Sequence, residues 1–155
     1  MEHSLLFMKL NDQSQHEYNT WDDWGLIPAT RPTLVQPTPV YKYVDIPGKD
    51  GPLDTTDYLI GRPTYSDRKG TFEFYVDTNF FINGSNNWID KRKIYSDFFD
   101  GSRMRIRLAD EPGIYYIGRV HFREYRPGAT YSTMSIEYEI EPYRRKVSDN
   151  SEAGV

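Results

Sequence analysis

A chain of 155 residues is long enough for one domain with its own hydrophobic core. It contains no cysteine, which excludes disulfides and thiolate metal sites. Nineteen basic and 23 acidic residues leave a formal net charge of −4, which argues against a dedicated nucleic-acid binder, because such a protein needs a basic face to displace phosphate counterions.

The opening Met1–Leu10 has an apolar run too short for a signal-peptide core, with acidic Glu2 where positive charge belongs. No apolar window is long enough to span a bilayer. The expectation is a soluble chain, not exported by the usual route and without a membrane partner. Thirteen Tyr and eight Phe suit half-buried strands and subunit contacts, since tyrosine buries area while keeping a polar tip.

Leu5–Leu10 predicts a strand turning at Asn11-Asp12. Trp21 and Trp24 follow, with Gly25, Leu26, Ile27 and Pro28 directly behind. Two readings stay open for the indoles: they anchor a strand end on the core, or one plugs into a neighbouring chain. Residues 28–40 contain four prolines, which lack the N–H of a central ladder, so this segment predicts an edge strand or an extended arm. Leu34 and Val35 between those prolines are hard to bury locally and suggest an arm lying across a partner.

Tyr41–Leu59 is the stretch around which the chain is organised. Val44 and Ile46 alternate with Asp45 before a sharp reversal at Pro47-Gly48-Lys49-Asp50-Gly51-Pro52, then Leu53, Asp54 and Thr55-Thr56. Glycines bracketed by prolines permit positive φ, and a chain that shapes a loop so heavily holds a surface for another subunit. Arg62–Ser66 predicts a short extended piece and Ser66–Gly70 a hairpin turn. Thr71–Val76 predicts a strand, with Phe72, Phe74 and Val76 on one face. Asn83-Gly84-Ser85 matches a glycosylation acceptor but reads as a turn.

A helix is predicted over residues 87–100, capped by Ser85 or Asn86 and ended by Gly101. Trp88, Tyr95 and Phe99, flanked by Ile94 and Phe98, form its apolar stripe, and Lys91, Arg92 and Lys93 form a solvated face. The last third predicts a three-stranded meander through Met104–Leu108, Tyr115–Tyr125 and Met134–Ile140. In it Glu137, Glu139 and Glu141 border Arg119 and Arg123. Arg103, Arg105 and Arg107 then lack a carboxylate within the chain: they point into water, or they meet an acidic surface on another copy.

No catalytic constellation stands out. His3, His16 and His121 have no ligand spacing. Asp45, Asp50, Asp54 and Asp57 lack the spacing of a calcium loop. Asp22 and Asp23 point to opposite faces if extended, and no nucleophile elbow or phosphate-cradling glycine loop occurs. The expectation is no enzyme activity, no metal and no cofactor.

Taken in order, several segments resemble the N-terminal domain of the phage distal tail proteins, the Dit family of siphophage-type tails. They are Trp24-Gly25-Leu26-Ile27-Pro28, Pro39 before a strand, Val44–Gly48 with Asp50-Gly51, and Leu53-Asp54 with Leu59 and Gly61. Next come Arg68 before the Phe72/Phe74 strand, the helix ending at Gly101, Tyr115-Tyr116 with Gly118-Arg119, and Glu141-Pro142-Tyr143. The resemblance covers roughly residues 4–146. It implies a mainly β fold: a tail-tube-like β-sandwich with one flanking α-helix, assembling as a hexameric ring.

In that family the ring sits at the distal end of the tail and joins the tail-tube protein to the baseplate hub. Further expected partners are the tape-measure and receptor-binding proteins, with assembly in the bacterial host cytoplasm and no specific nucleic-acid binding. The ring-forming domain is expected over residues 1–143, with residues 144–155 a polar, disordered tail; the galectin-like second domain common in the family is not recognisable. Expected subunit-interface residues are Trp21, Trp24, Leu26, Ile27, Leu34, Val35, Asp50, Leu53, Asp54, Arg103, Arg105 and Arg107. Expected lumen-facing residues are Glu137, Glu139 and Glu141. Two alternatives remain: a tail-tube or tail-completion protein of the same fold, and a carbohydrate-binding β-sandwich using its Trp and Tyr.

Overall fold

The computed structural model describes residues 3–58 and 60–155, so Met1, Glu2 and Leu59 of the sequence reading lie outside the described residues. The fold is mainly β with one helix among the described residues. Its strands are β1 (Leu5–Lys9), β2 (Tyr18–Asn19), β3 (Leu26–Pro28), β4 (Pro39–Val40), β5 (Tyr43–Val44), β6 (Leu53–Asp54), β7 (Thr64–Tyr65) and β8 (Arg68–Val76). Helix α1 (Trp88–Phe98) follows, then β9 (Asp100–Leu108), β10 (Ile114–Arg126), β11 (Ser132–Ile140), β12 (Arg144–Lys146) and β13 (Glu152–Gly154).

The main sheet is antiparallel, in the order β2-β1-β9-β10-β11-β8-β3. Its two ends, β2 and β3, are neighbours in sequence, and this dictates the shape. Seven strands laid flat would measure ~29 Å across, while the chain from Asn19 to Leu26 reaches at most ~24 Å fully stretched. The sheet must therefore roll. Leu26 N–H donates to Thr20 O at 2.8 Å and Tyr18 stacks on Trp24 at 5.4 Å, which ties the two ends together. The expected sandwich is realised as one sheet rolled over its own core.

Alternation fills that core. Met104, Ile106 and Leu108, then Tyr116 and Val120, then Met134, Ile136, Tyr138 and Ile140 face inward, with Phe72, Phe74 and Val76 from β8 and Leu5 and Phe7 from β1. Trp24 and Leu26 join them because Gly25 sits at φ +64° and a Cβ there would lie 2.5 Å from the Phe80 ring. Only glycine meets both conditions. Helix α1 is capped by Asn87, one residue beyond the expected caps, whose side chain accepts from Ile89 N–H. Phe99 packs edge-on against Phe7, and the Tyr95 hydroxyl donates to Trp24 O at 2.9 Å. Burial pushes the Tyr95 phenol pKa far up.

Three expectations are overturned. Lys91 is buried, not part of a solvated face: it stands three residues from Trp88 and four from Tyr95, hence on their stripe, and its Nζ donates to Asp77 O at 2.8 Å. Burial lowers its pKa, and Asp77 partly offsets this. Ser66–Gly70 is not a hairpin turn, since β7 pairs with β4 and β8 begins at the buried Arg68. Residues 144–155 are not an unstructured tail. β12 pairs with β13 and with the start of β10, and the Tyr115 hydroxyl reaches Asn150 Oδ1 at 2.9 Å.

Candidate subunit interface

Residues 39–65 form a projecting arm. At its base β4 pairs with β7; further out β5 pairs with β6, Val44 opposite Leu53 and Tyr43 opposite Asp54. Opposed residues share a face, so Val44 and Leu53 make one side apolar while Tyr43, 6.5 Å from Tyr41, lies on the other. Gly48 and Gly51 turn the tip at φ +83° and +77°, as its sequence predicts. Tyr41, Tyr43, Val44, Ile46, Leu53, Tyr58 and Ile60 are between 37% and 83% exposed. A two-stranded ribbon is marginal by itself in water, and exposed apolar side chains grouped on one ribbon suit an interaction site.

The proline-rich segment before the arm behaves differently. Pro32 and Pro37 are buried, Leu34 packs against the chain's own core, and Val35 stands about half exposed. Val35 N–H donates to the Tyr138 hydroxyl at 3.0 Å. Arg68 donates from Nη1 to Val35 O at 3.1 Å and from Nη2 to Pro142 O at 2.9 Å. Arg31 reaches Asp110 at 3.1 Å. This segment is a strap over its own body, not the arm across a partner that its prolines suggested.

The remaining candidates fall into two groups. Trp24 and Leu26 are spent on the core and offer no area to a neighbour. Trp21 leans on Phe80 at 6.0 Å, and Ile27 sits half-buried opposite Tyr75. The arginine row is not without carboxylates. Because β1 and β2 lie beside β9, Glu17 comes over the row, 2.6 Å from Arg107 Nη2 and 3.1 Å from Arg105 Nη2, and Arg103 pairs with Glu141. Burial opposes ionisation of Glu17, but hydrogen bonds from Arg107 and then Arg105 outweigh it and hold its carboxyl below the usual range.

The three expected lumen glutamates are also paired within the chain. Glu137 meets His121 at 3.0 Å and Arg123 at 3.6 Å, Glu139 meets Lys69 at 3.7 Å, and Glu141 is shared by Arg103 and Arg145. The acidic row thus borders basic neighbours as its alternation predicts, and it presents no uncompensated negative surface. At the arm tip Asp50 is exposed, and Asp54 accepts from Thr56, which holds its carboxyl below the usual range. No cluster of metal-ligating side chains occurs among the described residues.

No protein-family model matches the sequence, and no curated protein matches it. Among solved structures the chain is similar to the SPP1 Dit (gp 19.1) protein, described as a paradigm of hub adsorption apparatus in phages infecting Gram-positive bacteria. The likeness has 17% identity and a TM-score of 0.49, and covers 92% of this chain and 52% of that one. The chain thus spans about half the length of that protein, and at this identity no residue role passes from one to the other.

Proposed function

We propose that this chain is a structural subunit that assembles with copies of itself into a hexameric ring at the distal end of a phage tail, between the tail-tube protein and the baseplate hub. The observation that carries self-assembly is the arm: Tyr41, Tyr43, Val44, Ile46, Leu53, Tyr58 and Ile60 hold their side chains largely in water, while Arg62 ties the arm to Glu152 and Tyr143 of the body. Heterologous contacts of this kind close into rings when the rotation between copies allows. The place in the tail rests on the order of sequence motifs from Trp24 to Tyr143. Tape-measure and receptor-binding proteins are the further partners of this reading.

Negative-stain imaging of concentrated protein, alongside light scattering, tests it. Sixfold rings are the expected result. A chain that remains monomeric in solution and is missing from isolated tails would refute it.

A further inference from the structure

A cleft of about 430 Å³ opens where the strap, at residues 31–36, crosses the start of β8, the end of β9 and the start of β12. Arg31, Arg68 and Arg144 line it, together with Asp110 and Glu111. Arg68 is 3% exposed, and its guanidinium lies 5.5 Å from the centre of the Tyr116 ring. Strand alternation puts it there: Arg68 opens β8 on the same face as Phe72, Phe74 and Val76, so its side chain is carried inward.

The charges of the cleft do not cancel, since three guanidiniums face two carboxylates. Asp110 pairs with His3 and Arg31, and Glu111 accepts from the Tyr116 hydroxyl at 3.2 Å. Arg68 donates only to the Val35 and Pro142 carbonyls, and Arg144 only to Ala153 O at 3.1 Å. Among the described residues neither arginine forms an ion pair, with these carboxylates or with Val155, which also borders the cleft. The Nε of each is buried without a hydrogen-bond partner. Burial lowers the Arg68 pKa and the like charge of Arg144 lowers it further, with Tyr116, Tyr138 and Glu111 opposing. A buried cation without an anion costs stability, and carbonyls supply dipoles but no countercharge.

We propose that this cleft binds a small oxyanion, a free carboxylate or phosphate, with Arg68 and Arg144 as its cations. Guanidiniums suit this chemistry because their donors match the paired oxygens of carboxylate and phosphate. Asp110 and Glu111 select a compact anion held on the arginine side over an extended polyanion such as nucleic acid. A bound anion ties the strap, β8 and β12 together, so it stabilises the fold by mass action. The site is independent of the ring reading, since none of its residues belongs to the arm.

The test is calorimetric titration of the full chain with inorganic phosphate and with citrate, against chloride at matched ionic strength. At least one oxyanion should bind and raise the thermal midpoint, and chloride should do neither. Binding of phosphate alone assigns the phosphoryl group, and binding of citrate alone assigns the carboxylate. Arg144→Gln should weaken binding about tenfold, since it removes a charged donor. Thr33→Trp, at an exposed residue of the cleft, should block binding with both arginines still in place. Arg92→Gln, exposed on α1 and outside the cleft, should leave affinity unchanged. Circular dichroism confirms folding, and if Arg144→Gln unfolds, Thr33→Trp decides. No binding above the chloride background would overturn the inference, as would binding that survives Thr33→Trp or falls equally with Arg92→Gln.

Discussion

Two neighbouring segments, the strap at residues 28–38 and the arm at residues 39–65, are both proline-bearing and both carry apolar residues, yet they end in opposite environments. The strap's polar backbone finds buried side chains of β8 and β11: the Val35 carbonyl accepts from Arg68, and the Val35 amide donates to the Tyr138 hydroxyl. Leu34 can then sink onto the core without leaving backbone groups unpaired. The arm satisfies its backbone through its own short ladders and through Thr55 and Thr56, which bond Lys42. Its side chains therefore project. Proline content does not separate a strap from an arm; the presence of a buried donor or acceptor beneath the segment does.

The comparison breaks most directly at Arg68. Arg68→Leu leaves the Val35 and Pro142 carbonyls without their charged donor and should lower unfolding free energy by ~3 kcal/mol, read from the urea midpoint. A loss under ~1 kcal/mol would show that the strap is held by its apolar contacts alone.

Outside both segments, Glu17→Gln should cost ~1–2 kcal/mol at pH 7, because it removes the partner of Arg105 and Arg107 at a partly buried site. The carboxyl pKa is lower in the folded chain than in the unfolded one. Its stabilisation is therefore fully present above about pH 5 and is lost as pH falls through the folded value. Parent and variant midpoints should converge in acid; a pH-independent gap would assign the loss to packing.

Tyr138→Phe removes one neutral hydrogen bond to Val35 N–H and should cost ~1 kcal/mol. Hydrogen exchange should show the Val35 amide losing protection while arm amides do not change. At the small end, Val44→Asp with Leu53→Asp should alter stability by under ~0.5 kcal/mol, since both side chains are exposed. The same pair should abolish self-association by light scattering. A strongly destabilised variant would mean that the arm supports its own fold.

Much of the architecture was legible in the chain. The alternation in β8, β9, β10 and β11 predicted which side chains point inward, and the 3.6-residue stripe located α1 to within about two residues. The turn at Gly48 and Gly51 followed from glycine between prolines. Of the expected interface, the arm residues Asp50, Leu53 and Asp54 stayed on an exposed surface, while Trp24 and Leu26 went inside.

Sequence by itself determined the elements whose signal is local, because strand alternation, helical spacing and turn chemistry act over a few residues. Tertiary structure alone decided what stands beside what: β1 next to β9, which brings Glu17 to Arg105 and Arg107; Arg68 beneath the strap; Lys91 against Asp77; and the last dozen residues beside Tyr115. A short chain closing the two ends of a rolled sheet fixed those neighbours, and a constraint between residues so far apart leaves no periodicity to read.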